Sequence, residues 1–287
     1  MLRVVHIIVG LTACLALQAK RVGDVKQLPA DSVTVCKLLA EAKKQPAHAN
    51  LPLYFAKQFI GRPYVASTLE GDAEERLVVN TRQLDCTTLV ENVVALTLCM
   101  QRHLYTARDF MNALVEMRYR GGIIDGYASR LHYFTDWIED NTRKGLVTEQ
   151  QEPVPPFNAV QTVHVDYMSQ HPQSYRALKE HPELVPVIKA QEDSLAGRQY
   201  RYIPKQDVRN TEAMRRAVHD GDIIAITCNK PGLDIAHLGF AVWRQDGLHL
   251  LNASQLHKKV VEEPMTLGEY LKKHPSHTGI RIVRINK

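Results

Sequence analysis

Apolar side chains recur at helical spacing in the segment that follows residue 86. At 3.6 residues per turn, one face of a helix would carry Leu89, Val90, Val93, Val94 and Thr97. This pattern predicts a buried helix over residues 87–98. A similar amphipathic pattern predicts a helix near residues 33–42.

The C-terminal quarter of the chain has a different pattern, with short runs rich in Val, Ile and aromatic side chains. These runs predict strands at residues 222–227, 238–243, 248–251, 258–261 and 280–285. The pair Asp246-Gly247 between two of them is typical of a two-residue type I′ hairpin turn, which needs positive φ at both central positions. Helices first and an antiparallel sheet last predict an α+β fold.

Between these regions, residues 101–219 carry further helical patterns, interrupted by proline-rich loops such as residues 153–156. We interpret this stretch as a mainly helical elaboration of the core and not as a second domain. The prediction is therefore one domain over residues 27–287.

An apolar run follows Arg3 and carries no charge before Lys20. It is too short to span a bilayer and has the size of a signal-peptide core. Two cleavage sites are open: removal of residues 1–19 gives a soluble product, whereas removal of residues 1–13 leaves Cys14 for lipidation. Both predict export, to the periplasm or to the outer membrane as a lipoprotein anchored at Cys14.

Composition adds few constraints. The 287-residue chain is 45% hydrophobic and 23% charged, with a formal charge of +5. Lys and Arg are scattered among Asp and Glu instead of forming the basic stripe of a nucleic-acid binder, so we expect no nucleic-acid partner. None of the 13 histidines forms a HExxH or similar ligand pattern. We therefore expect no metal site and no cofactor.

Four cysteines follow the apolar run: Cys36, Cys86, Cys99 and Cys228. Cys86 begins the predicted helix, where the positive end of the helix dipole favours a thiolate and lowers the thiol pKa. Cys86 is therefore the candidate nucleophile. The alternative is that it serves only as a small buried hydrophobic side chain. Cys99 lies at the opposite helix end and is expected to be inert. The sequence leaves open whether Cys36 and Cys228 form a disulfide.

His237 is the candidate base. It begins a strand on which Gly239 and Ala241 share its face. Such small residues would let the Cys86 helix cover this face and bring the thiol within hydrogen-bond reach of the imidazole. The alternative is an ordinary surface histidine.

A third residue should orient the imidazole. With a two-residue loop, Asn252 would pair with Ala241 on the face of His237, and Ser254 would lie on the same face nearer the histidine. This register would leave Asn252 about four residues, roughly 13 Å, from His237. Only a coiled sheet or a bulge would close that gap, so Asn252 and Ser254 both stay candidates.

Several short motifs are similar, in order and spacing, to those of the NlpC-type cell-wall cysteine peptidases: Arg62-Pro63-Tyr64, Asp85-Cys86, His237-Leu238-Gly239-Phe240 and Asn252-Ala253-Ser254. The branch described as N-acetylmuramoyl-L-alanine amidase-like resembles this chain over most of the mature length that follows the predicted signal segment, including residues 121–122, 125–133 and 136–137. A cysteine on a helix followed by a histidine on a sheet is also the order of papain-like enzymes.

The resemblance implies a papain-like fold with Cys86 as nucleophile, His237 as base and Asn252 as the third catalytic residue. Many NlpC-type enzymes have histidine at the third position, but asparagine can also accept a hydrogen bond from the imidazole. The resemblance further places Tyr64 and Asp85 beside the nucleophile. The Cys86 backbone N–H, free at the helix start, would belong to the oxyanion hole.

Polar side chains are concentrated near residues 129–137. The proposed substrate contacts there are Ser129, Arg130, His132 and Tyr133. In this interpretation Arg130 holds a carboxylate of D-glutamate or diaminopimelate in a bidentate pair. The alternative is an ordinary helix with a solvated polar face.

The resulting hypothesis is a monomeric hydrolase that binds peptidoglycan or muropeptide fragments. It would cleave the amide between the muramoyl lactyl group and L-alanine through an acyl-enzyme on Cys86. The alternatives are cleavage of the γ-D-glutamyl-diaminopimelate bond, an inactive wall-binding protein on the same fold, and acyl transfer to another acceptor. The sequence does not separate intact wall from recycled fragments as the substrate.

Overall fold

The computed structural model describes residues 25–70 and 74–287. Its helices are α1 Pro29–Ala42, α2 Leu51–Gln58, α3 Cys86–Gln101, α4 Ala107–Arg118, α5 Phe134–Arg143, α6 Tyr167–Gln170, α7 Arg176–Glu180, α8 Val185–Leu195, α9 Glu212–Ala217 and α10 Leu267–Lys272. Its strands are β1 Val25–Lys26, β2 Leu77–Val78, β3 Val147–Glu149, β4 Ala159–Thr162, β5 Gln199–Pro204, β6 Ile223–Cys228, β7 Ile235–Trp243, β8 Leu248–Ser254, β9 Lys259–Glu262 and β10 His277–Ile285. The predicted signal segment and Cys14 lie outside the described residues.

An eight-stranded antiparallel sheet organises the chain. Its strand order is β4-β5-β10-β6-β7-β8-β9, and β3 also pairs with β10. Helix α3 packs against β7 and β8 and is enclosed by α1, α2 and α4. The α+β prediction is confirmed.

The two predicted helices and the five predicted strands are present, with ends displaced by a few residues. Helix α3 forms because its apolar positions are buried all around its circumference: Leu89, Val90, Val93, Val94, Ala95 and Leu96 are fully buried. A helix that is apolar on every side is stable only inside a core. It therefore becomes the central helix of the molecule.

Residues 101–219 are mainly helical in the structure, but β3, β4 and β5 also come from this stretch and join the C-terminal sheet. The contact between β5 and β10 depends on Gly279. A Cβ atom there would overlap the carbonyl oxygen of Ile203. A long-range pairing of this kind leaves little trace in local periodicity.

The prediction that the Cys86 helix packs on the face of β7 that carries Gly239 is wrong. Leu238, Phe240 and Val242 belong to the same apolar cluster as α3, whereas Ala241 belongs to a second cluster that includes residues of α10. Gly239 is small for another reason: a Cβ there would lie 2.7 Å from the Leu251 carbonyl oxygen. The glycine thus permits close pairing of β7 with β8.

The β7–β8 hairpin has a four-residue loop, not the predicted two-residue turn. Trp243 pairs with Leu248, and Ala241 pairs with Leu250 instead of Asn252. The loop is closed by the Arg244 N–H, which donates to the Gly247 carbonyl at 2.8 Å. The longer loop moves Asn252 two residues along β8 toward His237, and the predicted register is therefore corrected.

All four described cysteines are free, with Cys36 exposed and Cys228 buried, so the Cys36–Cys228 disulfide is absent. Among the helices of residues 25–70 and 74–287, none has the length and apolar character needed to cross a membrane.

Candidate active site

The start of α3 is fixed by a capping box that surrounds Cys86. The Thr88 N–H donates to Asp85 Oδ1 at 2.8 Å, and the Asp85 N–H donates to Thr88 Oγ1 at 2.9 Å. This reciprocal pair satisfies donors that a helix start otherwise leaves open. Because Asp85 is the cap, Cys86 is the first helical residue, as the sequence predicted for the candidate nucleophile.

The expected lowering of the Cys86 pKa is contradicted. Burial raises the pKa of the thiol to about 12, and the Asp85 carboxylate acts in the same direction. Hydrogen bonds from Leu238 and Thr87 act against them and lower the pKa. The helix-dipole argument omitted both the low-dielectric surroundings and the neighbouring negative charge.

His237 lies at the sheet side of the thiol. Its neighbour Leu238 supplies a backbone hydrogen bond to Cys86, which brings the start of β7 to the start of α3. The β6–β7 ladder is irregular at this point, because Ile226 pairs with His237 but Thr227 pairs with Ile235. Such a bulge re-aims the side chains beside it.

The imidazole of His237 is oriented by Asn252. His237 Nε2 lies 2.9 Å from Asn252 Oδ1, and Asn252 is fully buried. Burial lowers the pKa of His237, and the hydrogen bond that the imidazole donates to Asn252 partly opposes this effect. The corrected register and the bulge thus bring Asn252 into contact across the distance that had appeared too long.

Two further residues extend this contact, and we call the set His237, Asn252, Glu263 and His257 the hydrogen-bonded chain. Asn252 Nδ2 donates to Glu263 Oε1 at 2.9 Å, and His257 Nε2 lies 3.1 Å from Glu263 Oε2. Glu263 was missed by the sequence analysis. Its position directly after a short strand, before Pro264, gives no local signal of a buried carboxylate.

Ser254 is the other candidate for the third catalytic position. It is buried, and its hydroxyl accepts a hydrogen bond from the His257 backbone N–H at 3.3 Å. No hydrogen bond joins it to His237 within the described residues. The contact geometry therefore favours Asn252.

A cavity of about 180 Å³ opens beside the thiol. Its lining includes both Cys86 and His237, together with residues of the helical elaboration: His132, Tyr133, Phe134, Met168 and Tyr175. The sheet, the start of α3 and the elaboration therefore meet at one cleft, to which β7 contributes His237 and α3 contributes Cys86.

The four residues that the sequence grouped as substrate contacts, which we call the stem-pocket residues, are Ser129, Arg130, His132 and Tyr133. Only His132 and Tyr133 line the cavity. The Ser129 hydroxyl donates to the Gly126 carbonyl at 2.7 Å and accepts from the Asp125 N–H at 2.9 Å. Ser129 therefore stabilises a local turn.

Arg130 is held inside the protein and is 4% exposed. Its guanidinium donates to Glu70 at 2.6 Å and lies 3.6 Å from Glu75, with Tyr127 beneath it at 4.9 Å. Its charge is already compensated by two carboxylates. This geometry does not support the prediction that Arg130 grips a carboxylate of the substrate.

His132 and Tyr133 also have partners within the protein. His132 Nε2 lies 3.0 Å from the Tyr127 carbonyl oxygen, and burial lowers the pKa of this histidine to about 3. The Tyr133 hydroxyl donates to Glu192 at 2.7 Å and accepts from the Met168 N–H at 3.0 Å. Both side chains present ring surface to the cavity.

Tyr64 lies near the nucleophile on another element. It forms a bridge with Leu84, directly before the helix cap, and the charges of Cys86 and Asp85 raise its pKa after the larger effect of burial. Across the part of the chain that the structure describes, no group of three His, Cys, Asp or Glu side chains has an arrangement that could hold a metal ion.

A family model for AmiA-like proteins, described as N-acetylmuramoyl-L-alanine amidase-like, matches residues 54–280. The chain belongs to this amidase-like family. The matched stretch includes Cys86, His237, Asn252 and Glu263. The family is one of peptidoglycan hydrolases acting on an amide bond, which confirms the coarser part of the functional prediction.

Solved structures agree with this assignment. An N-acetylmuramoyl-L-alanine amidase from Bacteroides uniformis is 41% identical, with a TM-score of 0.77 over 83% of this chain and 98% of that chain. A Bacteroides fragilis protein with a provisional xylanase name is 40% identical, with a TM-score of 0.75 over 81% of this chain and 100% of that chain. A Legionella pneumophila protein at 21% identity shows the fold alone, with a TM-score of 0.69 over 90% of this chain and 95% of that chain. No curated protein matches the amidase-like chain.

Proposed function

We propose that this amidase-like protein is a cysteine-dependent N-acetylmuramoyl-L-alanine amidase with a papain-like, NlpC-type fold. The observation that carries the proposal is the 2.9 Å contact between His237 Nε2 and Asn252 Oδ1, with His237 and Cys86 lining the same cavity. A thiol, an imidazole and an amide oxygen in this order match a Cys-His-Asn site.

In the proposed reaction, the lactyl carbonyl of a muropeptide enters the cavity beside Cys86. Because the thiol pKa is raised and the His237 pKa is lowered, the resting pair is a neutral thiol and a neutral imidazole. His237 Nδ1 takes the thiol proton as the sulfur attacks the carbonyl carbon. The Cys86 backbone N–H, an open donor at the helix start, stabilises the oxyanion.

Collapse of the tetrahedral intermediate breaks the bond between the carbonyl carbon and the L-alanine nitrogen. The His237 imidazolium gives its proton to this nitrogen, which leaves as the free amino terminus of the stem peptide. His237 then takes a proton from water, which attacks the thioester on Cys86. The carbon–sulfur bond breaks, and the His237 imidazolium returns the proton to the Cys86 thiolate. The products are the stem peptide and a sugar with a lactyl carboxylate.

The cavity lining argues against glycosidase chemistry, which uses a pair of carboxyl groups. Asp234 is the one carboxylate among the residues that line this cavity. Both of its oxygens accept backbone hydrogen bonds, from Thr135 at 2.9 Å and Ile235 at 2.8 Å.

The test is to incubate the protein with a disaccharide-tripeptide muropeptide and identify the products by mass spectrometry. An intact stem peptide and a lactyl-terminated disaccharide support the proposal. A disaccharide carrying a dipeptide identifies a γ-D-glutamyl-diaminopimelate endopeptidase instead, and binding without turnover identifies a wall-binding protein. Acid quench early in the reaction should leave the sugar acyl group on the peptide containing Cys86.

The same assay with whole sacculi and with soluble muropeptides distinguishes wall remodelling from fragment recycling. Export and attachment at Cys14 are a further proposal from the sequence. Amino-terminal sequencing of the protein from its host, with a Cys14→Ser variant as control, separates cleavage after residue 19 from lipidation.

A further inference from the structure

A buried carboxylate lies directly behind the third catalytic residue. Asn252 is fully buried and uses both ends of its side-chain amide: Oδ1 faces His237, and Nδ2 donates to Glu263 Oε1. Glu263 is itself 2% exposed. Its carboxylate therefore meets the amide away from bulk water.

The two ends of an asparagine amide are chemically different, because Oδ1 accepts hydrogen bonds and Nδ2 donates them. The hydrogen-bonding partners of the side chain therefore determine its orientation. A carboxylate oxygen accepts hydrogen bonds and does not donate them, so Nδ2 of Asn252 must face Glu263. Oδ1 then faces His237 and accepts a hydrogen bond from the Nε2–H. This fixes the imidazole as the Nε2–H tautomer and leaves the Nδ1 lone pair available to the Cys86 thiol.

The position of Glu263 is fixed independently of Asn252. Its backbone N–H donates to the Leu250 carbonyl at 2.8 Å, and its carbonyl oxygen lies 2.9 Å from His249 Nδ1. The second carboxylate oxygen contacts His257, whose side chain is 40% exposed. The backbone and the Oε2 oxygen of Glu263 are therefore held by groups other than Asn252.

We propose that Glu263 is a positioning residue that fixes the amide orientation of Asn252 and, through it, the tautomer of His237. The proposal rests on the proposed function only in taking His237 as the base. Without Glu263, the Asn252 amide could turn over and present Nδ2 to the histidine. The imidazole would then carry its proton on Nδ1, and it could not accept the thiol proton there.

Two substitutions separate hydrogen-bond acceptance from charge. Glu263→Gln keeps an amide oxygen that can accept from Asn252 Nδ2, and we expect turnover within about threefold of the wild type. Glu263→Ala removes the acceptor, and we expect kcat to fall on the order of tenfold with little change in KM. Glu262→Gln is the matched control, because the neighbouring carboxylate pairs with Arg244 and does not contact Asn252.

The direct readout is the tautomer of His237, measured from the nitrogen-15 shifts of its imidazole at neutral pH in the full-length protein. The signal is assigned by its disappearance in His237→Gln. We expect Nε2–H in the wild type, Glu263→Gln and Glu262→Gln, and a mixture with Nδ1–H in Glu263→Ala. An unchanged tautomer in a folded Glu263→Ala would overturn the proposal, whatever its activity.

A double-mutant cycle tests whether the effect passes through Asn252. In an Asn252→Ala background, the further change Glu263→Ala should cost less than about twofold in kcat, because no amide is left to orient. Additive losses would show that Glu263 acts elsewhere, which also contradicts the proposal. The tautomer measurement needs no substrate, so it remains decisive if the wild-type protein cleaves a different bond.

Discussion

The hydrogen-bonded chain reaches the cleft through His237, the stem-pocket residues reach it through His132 and Tyr133, and the two sets differ in where their hydrogen bonds lead. The hydrogen-bonded chain runs from a buried carboxylate to an imidazole and ends at the cavity that Cys86 also lines. The stem-pocket residues bind other protein groups, such as Glu70 and Glu192, and keep few polar atoms for a ligand.

The difference shows that a concentration of polar residues in a sequence can indicate either a site that acts on a ligand or a scaffold whose polar groups bind one another. Buried polar groups must find partners, so a dense polar segment can stabilise its own scaffold. Arg130 illustrates this outcome, with its cation between two carboxylates. A reacting group is recognised instead by an unused hydrogen-bonding atom, which His237 has at Nδ1 within the described residues.

The largest effect should come from the thiol between the two regions. Cys86→Ala removes the covalent step, so kcat/KM on a muropeptide should fall by about 10⁴ or more. Cys99→Ala, at the other end of α3, should keep near-normal turnover. Equal losses in both variants would mean that helix packing explains the requirement for Cys86.

The next effect should come from the sheet side. Asn252→Ala should lower kcat by about tenfold to a hundredfold, because the imidazole then samples wrong tautomers and rotations. Asn252→His should retain much of the activity, since histidine can also hold the imidazole. Initial rates across pH, on variants that unfold near the wild-type temperature, provide the measurement.

Ser254→Ala and His237→Ala bracket this prediction. The loss in Asn252→Ala should exceed that in Ser254→Ala and be smaller than that in His237→Ala. If Ser254→Ala is the more damaging of the two β8 variants, the assignment of Asn252 is wrong.

On the helical side, Arg130 should affect stability more than chemistry. Arg130→Ala leaves Glu75 buried without its cation and should lower the free energy of unfolding by about 3–5 kcal/mol, measured by urea denaturation. Arg130→Lys should cost less but still destabilise, because a point charge does not replace the planar fork. For the folded fraction, kcat/KM should stay near the wild-type value.

A different result for Arg130→Lys would support the interpretation that Arg130 binds a carboxylate of the substrate. In that case the variant would lose the preference for stems that carry the D-glutamate or diaminopimelate carboxylate over stems that lack it. Stability would then be little changed.

The smallest effect should come from Tyr133→Phe. It removes two buried hydrogen bonds: the one donated to Glu192, which keeps the Ser169 N–H as a partner at 3.1 Å, and the one accepted from the Met168 N–H. We expect a loss of about 2 kcal/mol in unfolding free energy and a nearly unchanged KM, because the ring surface in the cavity remains. A large increase in KM would instead indicate that the hydroxyl contacts the substrate.

Much of the sheet side could be predicted locally. The apolar pattern indicated α3 with Cys86 at its start, and strand parity placed His237 and Asn252 on one face. Distances across the hairpin could not be predicted, because they depend on a four-residue loop that resembles a two-residue turn and on a bulge beside His237. Both change the register by whole residues. A shift of two residues leaves every side chain on the same face of the sheet, so side-chain alternation alone cannot reveal it.

The sequence by itself determined the α+β class, the helix that begins at Cys86, and the short set of candidates that contained His237 and Asn252, since each depends on periodicity or on neighbours in the chain. Only the tertiary structure decided that Asn252 reaches His237, that Glu263 holds Asn252, and that Arg130 is neutralised internally. These outcomes depend on partners 11 to 60 residues away along the chain, which only folding brings within hydrogen-bond distance. The same folding buried the thiol and so reversed the pKa shift that the helix dipole alone would give.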